Sequence, residues 1–139
     1  MSLSWPYRET DMQAPHPVQL AIEAADRAIT AEDFEALLDF YAEDATLVIK
    51  PGLIARGKDQ IRKAFVAIAE HFEHKLVVKQ GEMQIVEGAD TALVLMETLL
   101  EAGDLKINRR ATYVFRREKG VRWLCVVDNS YGTDLLNQR

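Results

Sequence analysis

Apolar residues recur at helical spacing in the first half of the chain and alternate with polar ones in the second, so the pattern predicts helices followed by strands. Val18, Ile22, Ala25 and Ile29 stand at i, i+4, i+7 and i+11 and line one face of a first helix. Phe34, Leu37, Leu38 and Tyr41 form a second stripe. Thr30 followed by Asp33 approximates a capping box, and Glu32, Asp33 and Glu35 place acids in the first turn, where the helix dipole favours them. A second helix closing on Tyr41 is therefore expected almost without a loop. Ala45 to Ile49 is a short β-prone run stopped by Pro51-Gly52, and Gly57 precedes a third helix with Ile61, Phe65, Ile68 and Phe72 on one side. Beyond His74 four strands are predicted, Leu76–Val86, Thr91–Glu101, Leu105–Arg117 and Val121–Tyr131, and the short breaks between them imply an antiparallel meander. Alternation slips across Gly81, because Leu76 and Val78 share a parity that Met83 and Ile85 do not, which predicts a β-bulge there.

Helices followed by a sheet that must wrap its apolar face around them make an α+β domain. Residues 1–16, with Pro6 and Pro15 and no periodicity, read as an irregular arm, and 17–139 as one domain. Strands such as Ala92–Met96 and Cys125–Val127 are apolar on both parities, so a second buried face is expected, most simply a homodimer interface. Composition adds exclusions. With 17 Lys and Arg against 22 Asp and Glu the formal charge is -5, and no basic block reverses it locally, which argues against nucleic acid or an anionic membrane as partner. No run approaches the roughly 20 apolar residues of a spanning helix, and the N-terminus lacks the pattern of a secretory signal, so a cytoplasmic location is expected. Cys125, the sole cysteine, has no Cys or His neighbour at zinc-ligand spacing.

Ala31–Leu47 (AEDFEALLDFYAEDATL) and Gly57–Ile61 (GKDQI) resemble the nuclear-transport-factor-two-like superfamily, whose relatives include ketosteroid isomerase and the SnoaL-like polyketide cyclases. Gly88–Ala92 and Trp123–Ser130 look like its uncharacterised bacterial branch, so the resemblance covers about Val18 to Leu135. It implies a cone-shaped fold of three N-terminal helices packed on a strongly curved, mainly antiparallel sheet, usually dimeric, with a pocket between helices and concave face. It implies no reaction, because the superfamily mixes enzymes, ligand binders and interaction modules. Ketosteroid isomerase needs an Asp base, with a Tyr and a protonated Asp donating to the developing oxyanion. A gapless match on Ala42–Thr46 puts these roles at Ile49 or Lys50, at Ala25 and near Ala111, so none of the three is filled by the residue it needs. Dehydratase-like relatives use pocket histidines, whereas the three here are His16 in the arm and His71 and His74 at the end of the third helix.

If Gly103-Asp104 and Glu118-Lys119-Gly120 are the hairpin loops, pairing outward from them creates two polar rows across three strands. Glu97, Arg110 and Asp128 form an acid-base-acid row, which resembles the Asp-Arg-Asp arrangement of limonene epoxide hydrolase and makes these three the catalytic candidates. An exposed cross-strand ion-pair row is the reading we favour for them. Thr98, Arg109 and Asn129, with Tyr131 two residues on, share the more apolar face with Val94, Met96, Leu100, Ala111, Tyr113, Phe115, Trp123, Cys125 and Val127. A few polar groups among apolar and aromatic walls is the usual make-up of a ligand pocket. Tyr41, Thr98, Arg109, Tyr113, Trp123, Asn129 and Tyr131 are accordingly the ligand-binding candidates, for a small apolar or anionic organic molecule. Arg109 would need a carboxylate partner or would reach for the rim, and a bulge would exchange Asn129 for Asp128 on the pocket face. Glu70 and His74 are i, i+4 neighbours, yet the segment is not a His-Glu-x-x-His motif and reads as a solvated helix end, so no metal is expected. Cys125 reads as inert core, and Lys50-Pro51-Gly52 as a turn rather than a phosphate loop. No cofactor is implied. The expected function is a ligand-binding pocket domain, as a cofactor-independent isomerase, dehydratase or hydrolase if it is an enzyme. The alternative is a non-catalytic dimerisation or interaction module with a plugged cavity.

Overall fold

The computed structural model describes residues 15–137, so most of the expected arm lies outside the described residues. Helix α1 (Pro17–Ala31) begins at His16, whose Nδ1 accepts from the Val18 N–H at 3.0 Å, and Pro17 sits in the first turn, where a missing N–H costs nothing. Its apolar stripe buries Val18, Ile22, Ala25 and Ala28. Glu32, in the left-handed region at φ 56°, ends it. Asp33 caps α2 (Phe34–Leu38) by accepting from the Ala36 N–H at 3.2 Å.

Two expectations fail at this point. Thr30 lies inside α1 and its hydroxyl accepts from the Val78 N–H, so no capping box forms. Tyr41 opens strand β1 (Tyr41–Lys50) instead of closing a helix. The cause is tertiary: the Phe40 carbonyl accepts from the Cys125 N–H at 2.9 Å and draws the chain into the sheet two residues after α2 ends. Local periodicity carries no record of such a contact. Strand β2 (Leu53–Arg56), which the pattern does not announce, folds back on β1 through the Pro51-Gly52 turn and leads into α3 (Gly57–His71).

The meander follows as β3 (Leu76–Glu87), β4 (Thr91–Ala102), β5 (Leu105–Glu118) and β6 (Arg122–Asn129), closed by a 3-10 segment (Gly132–Asn137). Three helices thus pack on a six-stranded, mostly antiparallel, curved and unclosed sheet in the order β2-β1-β6-β5-β4-β3, with β1 and β6 parallel. The bulge expected at Gly81 is present: Gln80 pairs with Thr98 but Met83 with Met96, so two residues face Glu97. A Cβ at Gly81 would come within 3.1 Å of the Glu97 Cβ, which is why the bulge takes a glycine.

On the concave face Val94, Met96, Ala111, Phe115 and Cys125 are buried against the helices. Phe40 organises the aromatic centre, edge-on to Tyr41 at 4.9 Å and to Phe115 at 5.4 Å between ring centroids, while Tyr41 also meets Phe65 of α3 at 6.3 Å. Each such side chain contributes on the order of 2 kcal/mol by leaving water. The opposite face is also apolar in part, since Leu93, Leu95 and Val127 stand between 37% and 45% exposed. Among the described residues no helix is long and apolar enough to cross a membrane.

Candidate functional site

The β5–β6 register decides which polar groups enter the interior. The loop is Lys119-Gly120-Val121, because Glu118 pairs with Arg122, and a second bulge follows at Val126, so that Phe115 pairs with Cys125 but Val114 with Val127. Together the two changes slide Asp128 opposite Tyr113, three residues from the Arg110 that the simple register predicts. The bulge also exchanges faces: Asp128 turns inward, while Val127 and Asn129 turn outward.

Asp128 is 7% exposed, and Tyr41 Oη donates to its Oδ2 at 2.5 Å. Tyr41 reaches it because parallel pairing seats Tyr41 beside Cys125, three residues before Asp128 on the same strand. Burial pushes the Asp128 carboxyl up to about 6; the Tyr41 hydrogen bond pulls it down, and the charge of Asp26 adds to the rise. Burial likewise holds the Tyr41 and Tyr113 hydroxyls and the Cys125 thiol well above their usual ranges, with Asp128 reinforcing each. Cys125 is thus a protonated core thiol, not a nucleophile. Asp26 of α1 is a second interior carboxyl, also raised to about 6, first by burial and then by Glu23, against the Gln80 hydrogen bond and Arg27. Its Oδ2 accepts from Gln80 Nε2 at 2.5 Å. Two interior carboxyls that change protonation near neutral pH, Asp128 among aromatic rings and Asp26 beside Gln80, are equipped to take or give a proton.

A second group lies further along the same concave face. Thr98 pairs with Arg109 across β4 and β5, and the Arg109 guanidinium lies 4.1 Å over the Tyr131 ring. The Thr98 hydroxyl and Arg109 Nε are buried without a hydrogen-bond partner among the described residues. This arrangement offers a cation and a hydroxyl to a polar ligand group.

The remaining candidates are dispersed. Glu97 and Arg110 do pair, at 3.6 Å, but on the outer face with side chains 51% and 87% exposed, and without Asp128 the acid-base-acid row does not form. Asn129 donates to Thr112 Oγ1 and to the Gly132 carbonyl and accepts from the Tyr131 N–H, which makes it the brace of the chain's exit from β6. Trp123 sits at the other end of β6, near His16 and beneath Arg117. His74 faces Glu32 across 3.0 Å and His71 stacks edge-on against Phe72, both far in sequence from the interior acids. Asp26 and Gln80 were not among the expected site residues. Asp26 nevertheless left a trace: it stands four residues after Ile22, a charge on the apolar face of α1.

A curved, unclosed sheet wrapped around three helices, with interior acids beneath them, defines an α+β fold of the cystatin-like kind. The SnoaL-like domain matches residues 18–127, and the chain belongs to that family. No curated protein matches it. Among solved structures it is similar to a protein of unknown function with a cystatin-like fold from Nostoc punctiforme, at TM-score 0.70 and 20% identity over 81% of this chain and 85% of that one. A proposed dehydratase of the nuclear-transport-factor-two-like family from Streptomyces avermitilis is similar at TM-score 0.66 and 21% identity, over 87% and 95%. A proposed ketosteroid isomerase from Shewanella frigidimarina is similar at TM-score 0.70 and 12% identity, over 81% and 93%. At these identities the likeness is one of fold.

Proposed function

We propose that the chain binds a small, largely apolar or anionic organic molecule between its helices and the concave sheet face, and acts on it by acid–base chemistry without a cofactor. Asp128 is the proton-transfer group, Tyr41 holds its carboxylate, and Arg109 with Thr98 receives an anionic or oxygen-bearing end of the ligand. The observation that carries this reading is the 2.5 Å bond from Tyr41 to a carboxyl buried among aromatic rings, since a buried carboxyl of raised pKa is costly to a purely structural core. Isomerase, dehydratase and hydrolase steps each fit such a group. The apolar outer face of Leu93, Leu95 and Val127 supports a homodimer.

The same outer face, taken with an interior filled by Phe40, Tyr41, Tyr113 and Phe115, supports a second reading, a non-catalytic dimerisation module with a plugged cavity. Native mass spectrometry of freshly purified wild type and Arg109→Met separates the two. The first reading expects a dimer carrying an adduct of small-molecule mass that is shed on denaturation and lost in Arg109→Met. A bare dimer in both proteins supports the module, and a bare monomer overturns both.

A further inference from the structure

We infer that the ligand of the concave face is a monocarboxylate with an apolar body, its carboxylate bridging the Thr98 hydroxyl and the Nε edge of Arg109 and its body running past Met96 and Ala111 toward Asp128. The inference rests on the reading that a small molecule binds on this face, and adds to it the ligand's class and direction. Thr98 and Arg109 form one cross-strand pair, and the Thr98 hydroxyl and Arg109 Nε are both buried without a hydrogen-bond partner among the described residues, Thr98 being only 6% exposed. Each such atom forfeits a bond it has in water. The Tyr131 ring lies 4.1 Å under the guanidinium and holds the cation in place, while Arg109 Nη2 reaches Tyr131 Oη only at 3.5 Å.

The surroundings supply Arg109 with no counter-charge. Among the described residues the arginine ion pairs are those of Arg62, Arg110, Arg116 and Arg117. Neither interior acid serves Arg109: Asp26 is held by Gln80 and acted on by Glu23 and Arg27, and Asp128 is held by Tyr41 and acted on by Asp26. Gln80, opposite Thr98 from β3, is a neutral amide already donating to Asp26. The cross-strand pairs on either side, Met96–Ala111 and Leu100–Ile107, are apolar. One cation between apolar pairs suits a ligand group of a single negative charge. A carboxylate balances Arg109, and its two oxygens accept from the Nε–H and from the Thr98 hydroxyl. A phosphate dianion would bring a second charge into apolar surroundings, and a ketone or amide would leave Arg109 uncompensated. The register then sets the direction. Gly132 lies against the Arg110 carbonyl, so Tyr131 keeps the guanidinium at the Arg109 level of the sheet, whereas Tyr113, the partner of Asp128, is four residues on, about 13 Å at about 3.3 Å per residue. A ligand seated at Arg109 therefore presents to Asp128 a carbon several bonds from its carboxylate. Between the two levels Ala111 is small and Met96 flexible, which makes this the strip of the face that yields most readily to a ligand's body.

The test titrates octanoate, octanol, octyl phosphate and butanoate into the isotope-labelled protein at pH 7 and follows amide chemical shifts. Octanoate should bind saturably, shift Thr98 and Arg109 and also Tyr113 and Asp128, and bind at least about tenfold tighter than octanol, the factor expected of a charge-assisted hydrogen bond. It should also bind tighter than octyl phosphate, and butanoate should shift Thr98 and Arg109 alone. Arg109→Gln should erase the preference for octanoate over octanol, and Glu97→Gln, on the outer face, should preserve it. Thr98→Val should weaken octanoate about fivefold, yet leave the urea midpoint of the ligand-free protein unchanged or higher, because the hydroxyl it removes has no partner to lose. If Arg109→Gln does not fold, Thr98→Val and the probe series on the wild type carry the test. Octanol or octyl phosphate binding the same residues as tightly as octanoate would overturn the carboxylate and leave the binding face standing. Octanoate that shifts Thr98 and Arg109 but not Asp128 would overturn the direction, and a lowered midpoint in Thr98→Val would overturn the seat. No saturable shift at these residues from any probe would overturn the inference together with the reading on which it rests.

Discussion

The two interior carboxyls make an unusual prediction about pH and stability. Asp26 and Asp128 are both raised to about 6 in the folded chain, whereas an unfolded Asp titrates near 4. An acid whose folded pKa is raised binds its proton more tightly when folded. Its carboxyl therefore costs the folded state nothing below pH 4, and the cost grows as pH rises from about 4 to about 6. At about 1.4 kcal/mol for each pH unit separating the folded from the unfolded titration, each group removes on the order of 3 kcal/mol by pH 7, roughly half of it between pH 5 and pH 7. Both residues are less than a tenth exposed, so solvent screens their charges little. The wild type should accordingly lose roughly 2 to 3 kcal/mol of unfolding free energy between pH 5 and pH 7, read from urea midpoints with an unchanged slope. Asp26→Asn and Asp128→Asn should each lose about half as much, and the double variant should change little. Contributions from every other titrating group remain in the double variant and subtract out. Asp44 and Glu101, held low chiefly by Arg116 and Lys79 respectively, act below this window, where their ion pairs are lost as pH falls. A wild type equally stable at both pH values, or a double variant with the wild-type slope, would refute the reasoning.

Three further outcomes follow from the same geometry. Tyr41→Phe removes the donor to Asp128, so it should cost about 1.5 to 3 kcal/mol at pH 7, less at pH 5, and should move the Asp128 carboxyl further upward, as carbon-13 titration of that carboxyl would report. Gly132→Ala drives a Cβ into the Arg110 carbonyl oxygen at a φ of 54°, which should cost about 1 to 3 kcal/mol and release the 3-10 segment from β5, seen as faster amide exchange across residues 132–137. A double-mutant cycle on Glu97 and Arg110 should give a coupling below about 0.5 kcal/mol, because the pair is exposed and 3.6 Å apart; a larger value would mean that the outer-face row does more than solvate the sheet.

The interior site shows how far a sequence can be read before tertiary geometry takes over. Helix α1, the order of the four-strand meander and the Gly81 bulge are legible because each leaves a local mark, a 3.6-residue stripe, a Gly-rich break or a parity slip. The Val126 bulge leaves none, since Cys125, Val126 and Val127 are apolar on either parity, and with it goes the position of Asp128. Tyr41 is misread for a related reason: its place four residues after Leu37 suits a helix, and only pairing with a strand more than eighty residues later settles it as β. The Tyr41–Asp128 contact is therefore the meeting of two residues whose local signals both mislead. The same contact is the part of the molecule where local rules yield to a costly buried charge, and such conflicts collect where a fold does chemistry. That convergence, more than the likeness to any relative, directs attention to this pair and to Asp26 behind it.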